Sequence, residues 1–284
     1  LKTLRLYNNQ LRALPMDISQ LTNLKDISLG KNQLNELPES FWQLRALQSL
    51  NLGENRFVSL PEDIGNLIDL HMLDLGHNQL IEIPKALGNL SKLEFLYLSN
   101  NRLTALSDAL FENLKSLLYL NITDNQLTSL PEHIGRLANL IELRVYNNQL
   151  TALPESLGKL VNLKELHVMN NKLISLPTSL GELRNLKELR LCNNELTSLP
   201  EALGKLEQLT SLDLRNNRLQ VLPESIGNLT RLTSLDLRAN KLRSLPARIE
   251  RLIKLEKLDL RWNKLASLPT WIQRLKKHGC TVFI

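Results

Sequence analysis

Leu47-Gln48-Ser49-Leu50-Asn51-Leu52-Gly53-Glu54-Asn55-Arg56-Phe57 is one copy of a pattern that runs through the whole chain. One asparagine marks each of the twelve copies: Asn9, Asn32, Asn55, Asn78, Asn101, Asn125, Asn148, Asn171, Asn194, Asn217, Asn240 and Asn263. Every step is 23 residues except Asn101 to Asn125, which is 24. Self-similarity at such a period marks a solenoid of stacked supersecondary units. Within the quoted copy the apolar residues alternate, so Leu50 and Leu52 point inward from a short strand while Ser49, Asn51 and Gly53 point outward. The chain then turns at Asn55. Its side chain carries both an amide and a carbonyl, so it can satisfy buried backbone groups of its own coil and of the neighbouring one.

Phe57, Leu60, Ile64 and Leu67 bring the return limb back across the core. A proline follows this leucine, or Ile83 in the fourth copy, in eleven of twelve copies, Pro61 here. Proline fixes φ and has no N–H to satisfy, which suits an extended or 3-10 return path better than a long helix. Seven of the eleven glycines sit together in this limb, Gly65 and Gly158 among them. A single copy buries too little apolar surface to offset the entropy of ordering it. Stability therefore has to come from stacking, as a sum of neighbour terms.

These residues resemble the leucine-rich repeat, L-x-x-L-x-L-x-x-N-x-L, followed by x-x-L-P-x-x-[IL]-G-x-L-x-x, over essentially the whole chain. The resemblance implies an α/β solenoid, a horseshoe of about twelve coils with a parallel β-sheet on its concave side. Its convex side would be extended, 3-10 or short helical. On this reading residues 1–275 are the repeat solenoid and 276–284 a C-terminal capping strand. The return limb is similar to the 23-residue intracellular class found in Ras-pathway scaffolds, their plant relatives and many bacterial proteins. That likeness implies a non-catalytic module, a scaffold or recognition element in signalling or host interaction, that holds a protein or peptide ligand in its concave face.

Two places depart from the repeat. In coil five, Leu106-Ser107-Asp108-Ala109-Leu110-Phe111 replaces the proline by Ser107, adds one residue and puts Phe111 in the usual Ile/Leu slot. This resembles the 24-residue subtype, and a return limb absorbs one residue cheaply. At the C-terminus Gly279 breaks the preceding helical turn, and Cys280 to Ile284 read as a final strand with Phe283 expected in the core. The chain starts at Leu1, already within a consensus strand. A longer parent with a preceding cap is therefore expected, and an uncapped edge would permit a dimer of an otherwise monomeric chain.

Charge and cysteine content narrow the setting. From Lys241 onward there are eleven Lys/Arg against three acids, whereas the whole chain is only +6, so everything earlier is net acidic. The basic end reads first as solvated surface. Its functional alternative is docking on anionic membrane or nucleic acid, the latter the less favoured partner. Cys192 and Cys280 lie nearly four coils apart, beyond disulfide reach. This favours a reducing compartment and the cytoplasm, with a secreted effector as the rival. Sequons at Asn89, Asn121 and Asn228 arise largely from the repeat text. No apolar stretch is long enough to span a bilayer.

No phosphate-cradling glycine loop, nucleophile elbow or H-E-x-x-H is present, and the five histidines are scattered without paired metal-ligand spacing. Neither catalysis, a cofactor nor a metal is expected on those grounds. A further possibility is that the repeats form the sensor half of a larger kinase or GTPase.

The informative residues are those in the three outward strand columns, which hold all four tyrosines, Tyr7, Tyr97, Tyr119 and Tyr146. Gly30, Gly53 and Gly76 share a column with Tyr7 and could leave a shallow depression. Met72, Phe95, Tyr97 and Tyr119 fall on three adjacent strands, followed by Arg144, Tyr146, His167, Met169 and Arg190. Exposed apolar patches mark interfaces, and aromatics flanked by arginine are the composition of hot spots. These nine residues are the candidate partner-binding surface. Asp213, Asp236 and Asp259 stack beside Arg215, Arg238 and Arg261 as a self-satisfied polar ladder, the rival reading being a charged extension of the binding surface with Trp262 at its margin. Glu142, Glu165 and Glu188 make a second acidic column beside Arg144 and Arg190.

Overall fold

Each of the twelve repeats supplies a strand of three residues whose central leucine, or Ile27 in the second, is buried, except in the first strand, where Leu4 is half-buried. The computed structural model describes residues 1–284 as two compact units, Leu1–Leu140 and Ile141–Ile284. The first holds β1 (Thr3–Arg5), β2 (Asp26–Ser28), β3 (Ser49–Asn51), β4 (Met72–Asp74), β5 (Phe95–Tyr97) and β6 (Tyr119–Asn121). These pair in chain order, all parallel, with Leu4, Ile27, Leu50, Leu73, Leu96 and Leu120 in one register line. The second holds β7 (Glu142–Arg144), β8 (Glu165–His167), β9 (Glu188–Arg190), β10 (Ser211–Asp213), β11 (Ser234–Asp236), β12 (Lys257–Asp259), α1 (Ile272–Lys277) and β13 (Thr281–Phe283). Its strands also pair in order and parallel, from Leu143 through Leu166, Leu189, Leu212, Leu235 and Leu258 to Val282. Both units are built as a repeat solenoid, a strand and a 3-10 return limb per coil, with α1 in place of the 3-10 turn in the last coil.

The return limbs follow the proline. Pro61 (φ −74°, ψ 158°) precedes the 3-10 turn Glu62–Asn66, and its carbonyl accepts the Ile64 N–H at 3.2 Å. In coil five Ser107 takes over, its Oγ accepting the Ala109 N–H at 3.3 Å, and Phe111 is buried in the core. Successive limbs are also stapled together. The Glu62 carboxylate accepts the Lys85 and Ala86 N–H groups at 3.2 and 2.6 Å, and Glu155 does the same for Thr178 and Ser179 at 3.2 and 3.0 Å. These are the orphan donors at the start of a helical turn, satisfied from the coil before. The limb glycines answer a different need. A Cβ on Gly227 would lie 2.3 Å from the Arg248 carbonyl oxygen, so the coils approach too closely there for any side chain.

The repeated asparagine performs the role its chemistry allows. Asn55 Nδ2 donates to Leu52 O at 3.0 Å in its own coil and to Leu29 O at 3.0 Å in the preceding one, while its Oδ1 accepts the Leu34 N–H at 3.0 Å. The residue just before each of these asparagines has positive φ, from 53° at Ala239 to 60° at Trp262. Four successive holders of this position, Asn147, Asn170, Asn193 and Asn216, form an amide ladder with N–O distances of 2.5, 2.6 and 2.7 Å. Ala239 is the next rung and has no amide. Ala239→Asn is expected to stabilise the chain by about 0.5–1 kcal/mol, because asparagine tolerates left-handed backbone and extends the ladder. Urea unfolding checks it, and a loss of stability would count against the ladder as a source of stability.

One expectation needs correction. Phe283 is not core. Leu258 pairs with Val282, so Val282 takes the inward position and Phe283 faces outward opposite Asp259. There its ring lies 5.0 Å from the Arg261 guanidinium. Cys192 and Cys280 are both free and buried. No helix is long and apolar enough to cross a membrane.

Candidate functional site

Outward residues on adjacent parallel strands stand side by side, about 4.8 Å apart. In the first unit, Met72, Phe95 and Tyr119 are consecutive register partners, and Asp74, Tyr97 and Asn121 form the next column. The Tyr97 and Tyr119 rings meet at 5.1 Å between centroids with 41° between their planes. Beside them Phe95 keeps 36% of its surface in solvent. All four predicted residues of this unit therefore share one stretch of the outer sheet face. A shallow depression adjoins Met72, lined by Thr3, Arg5, Asp26, Ser28, Ser49 and Asn51.

The glycine column beside this region has a local cause. Asn51 Oδ1 accepts the Gly53 N–H and Asp74 Oδ1 the Gly76 N–H, each at 2.9 Å. A Cβ on Gly30 would come within 2.6 Å of Asn51 Oδ1. The glycines make room for side chains folded back on the backbone. Burial pushes the Asp74 carboxyl above its ordinary range despite the Gly76 hydrogen bond. The charge of Glu54, which accepts the Tyr7 hydroxyl at 3.2 Å, raises the Tyr7 phenol.

In the second unit the columns are charged. Glu142, Glu165 and Glu188 are register partners, as are Arg144, His167 and Arg190. Arg144 pairs with Glu142 and Arg190 with Glu188, each across one strand face. Between them His167 Nε2 stands 3.5 Å from Glu165 Oε2 and 3.7 Å from Glu188 Oε1. The His167 side chain is buried, only 5% of the residue being exposed, unlike its half-buried neighbours Tyr146 and Met169. Burial and the two arginines hold its imidazole below the ordinary histidine range. Burial and the flanking glutamates hold Glu165 above the ordinary carboxylate range. The acidic column is evident in the sequence, but metal-ligand spacing is not. The period places the three glutamates side by side, but that the His167 ring turns in against two of them depends on side-chain torsions that spacing does not encode.

Further along, the Asp and Arg columns pair as anticipated. Asp213 meets Arg215 at 3.3 Å, Asp236 meets Arg238 at 2.6 Å, and Asp259 meets Arg261 at 2.7 Å and Arg238 at 3.2 Å. Asp259 is wholly buried between its arginines. Trp262 stays open at the margin.

Comparison with known proteins agrees with this architecture. The family description "Leucine-rich repeat region" matches residues 109–196 and 176–277, and "Leucine rich repeat" matches 1–57 and 49–103. A leucine-rich repeat protein of Leptospira interrogans is 36% identical over 97% of this chain and 76% of its own, with a TM-score of 0.78. The crystal structure of a TDR receptor is 29% identical over 93% of this chain, with a TM-score of 0.80. The chain spans only 47% of that receptor. The plant peptide hormone receptor RGFR1, solved in complex with RGF2, is 29% identical over 99% of this chain and 55% of its own, with a TM-score of 0.65. No match was found among curated proteins.

Proposed function

The chain belongs to the leucine-rich repeat family, and from that premise we propose that it is a non-catalytic recognition module that takes a protein or peptide partner on its outer sheet face. The observation that carries this is the aromatic cluster of β4–β6, where Phe95 stands exposed beside Met72 and the Tyr97–Tyr119 pair, whose tilted rings touch. Such a cluster offers apolar contact area from rigid side chains, the usual make-up of an interface hot spot. A peptide hormone receptor of the same fold, solved with its ligand, supports the reading. Arg144, Tyr146, Met169 and Arg190 of the second unit are a further, more polar contact region on the same argument. A reducing compartment, and so a cytoplasmic role in signalling, is supported by the two free, buried cysteines.

Phe95→Ala with Tyr119→Ala is expected to leave folding intact and to weaken partner binding by at least about 2 kcal/mol, roughly thirtyfold. Affinity capture with wild type and the double variant, followed by titration of the captured partner, tests it. Unchanged affinity would remove the aromatic cluster as the site. Should affinity instead fall steeply with salt and ignore these substitutions, the basic C-terminal end with Arg274, Lys276 and Lys277 of α1 would be the working surface.

A further inference from the structure

We propose that Glu165, His167 and Glu188 form a binding site for a divalent transition-metal ion of the Zn2+ class. The site lies wholly on β8 and β9 and is independent of the aromatic cluster. Glu165 and His167 are two apart on one strand and so share its outer face, while Glu188 is the register partner of Glu165 on the next strand. One imidazole nitrogen and one oxygen from each carboxylate all lie within 4.8 Å of one another. His167 Nε2 is 3.5 and 3.7 Å from the two oxygens. A tetrahedral ion with bonds of about 2.0–2.2 Å has ligands about 3.4 Å apart. The two nitrogen-to-oxygen edges of the triangle therefore stand close to that spacing, and the carboxylate oxygens are no more than 4.8 Å apart.

A second observation points to a ligand rather than to mere acidity. His167 is 95% buried, yet its Nε2, aimed at the two carboxylates, has no hydrogen-bond partner. Buried polar atoms without partners are rare, and a bound ion is one of their ordinary explanations. The charge pattern agrees. Arg144 pairs with Glu142 and Arg190 with Glu188, whereas Glu165 stands against the imidazole, with both arginines acting on it from farther off. A cation seated against Glu165 would supply the counter-charge that the repeat gives its neighbours through arginine. The nitrogen donor and the small triangle select against Ca2+ and Mg2+, which want six or more oxygens or near-octahedral hydration. Three protein donors leave a coordination position for water or for a donor from a bound partner. The two nearby arginines, one already bonded to Glu188, weaken the site, so micromolar rather than nanomolar affinity is expected.

The test is calorimetric titration of the tag-free, chelator-washed chain with ZnCl2, with Co2+ absorption as an independent readout of geometry. One equivalent is expected to bind wild type, with affinity reduced at least about tenfold in His167→Ala and in Glu165→Gln. His278→Ala, at an exposed histidine outside the cluster, is expected to bind as wild type does. Circular dichroism verifies the fold, and the near-isosteric Glu165→Gln keeps the test decisive if His167→Ala unfolds. Absence of saturable binding would overturn the proposal. So would equal binding by wild type and Glu165→Gln, which would mean adventitious capture by surface groups, or a preference for Ca2+ or Mg2+.

Discussion

Asn217→Ala is expected to lower the free energy of unfolding by about 3 kcal/mol, several times the effect of Asn9→Ala at the equivalent position of the first coil. Asn217 Oδ1 accepts the Leu196 N–H at 3.1 Å, and Nδ2 donates to Leu191 O and Leu214 O, each at 3.0 Å. The donor Leu196 and the acceptor Leu191 belong to the preceding coil. Alanine would strand that N–H in a turn closed to water, at roughly 1–3 kcal/mol for an unsatisfied buried donor, and would take one of two donors from each carbonyl, Leu191 O keeping Asn194 Nδ2 and Leu214 O keeping Asn240 Nδ2. Asn9 is exposed and bonds only Leu6 O and Tyr7 O, at 3.1 and 3.2 Å, so water replaces what its removal takes away. Urea unfolding of both variants decides the matter, provided the m-value is unchanged so that midpoints report stability. Equal losses at the two positions would mean that the asparagine acts through its own turn and not as a link between coils.

Asp259→Asn is expected to destabilise the chain by about 2.5 kcal/mol at neutral pH, since removing one member of a buried ion pair leaves its partners uncompensated. Asp259 Oδ1 accepts from Arg261 Nε at 3.0 Å, while Oδ2 faces Arg261 Nη2 at 2.7 Å and Arg238 Nε at 3.2 Å. An amide would point either a donor or a weakened acceptor at two guanidinium groups. The pH dependence carries a definite sign. Burial opposes ionisation of Asp259, but its hydrogen bonds to Arg261 and the charges of Arg238 and Arg261 outweigh that and hold its carboxyl below the ordinary range. A carboxylate depressed in the folded state contributes stability that is present above its unfolded pKa and lost as pH falls through its folded pKa. The gap between wild type and Asp259→Asn should therefore be full above the ordinary carboxylate range and close in more acidic solution. A gap that persists into strong acid would show that the substitution acts by packing alone.

Both variants bear on how readily this chain can be read. The asparagine links were evident in the sequence because a carbonyl and an amide at one recurring place have few other uses. The pairing of Asp213, Asp236 and Asp259 with their arginines was evident too, because strict periodicity puts residues 23 apart side by side. The same reasoning assembled Met72, Phe95, Tyr97 and Tyr119 on one stretch of sheet. It placed His167 among the open contact residues, whereas the ring is buried against two carboxylates. It placed Phe283 in the core, whereas the ring lies over Arg261.

The amino-acid sequence by itself determined the coil, its period, the buried leucine lines and the columns that face outward. Those follow from backbone alternation and leucine burial, which are local and repeat identically. Only the tertiary structure decided where the long side chains in those columns lie. That choice depends on the size and charge of the residues one coil before and one coil after, through torsions that no pattern of spacing encodes. Hence Asp259 disappears between arginines, Gly30 must leave space for Asn51, and one histidine closes on two glutamates.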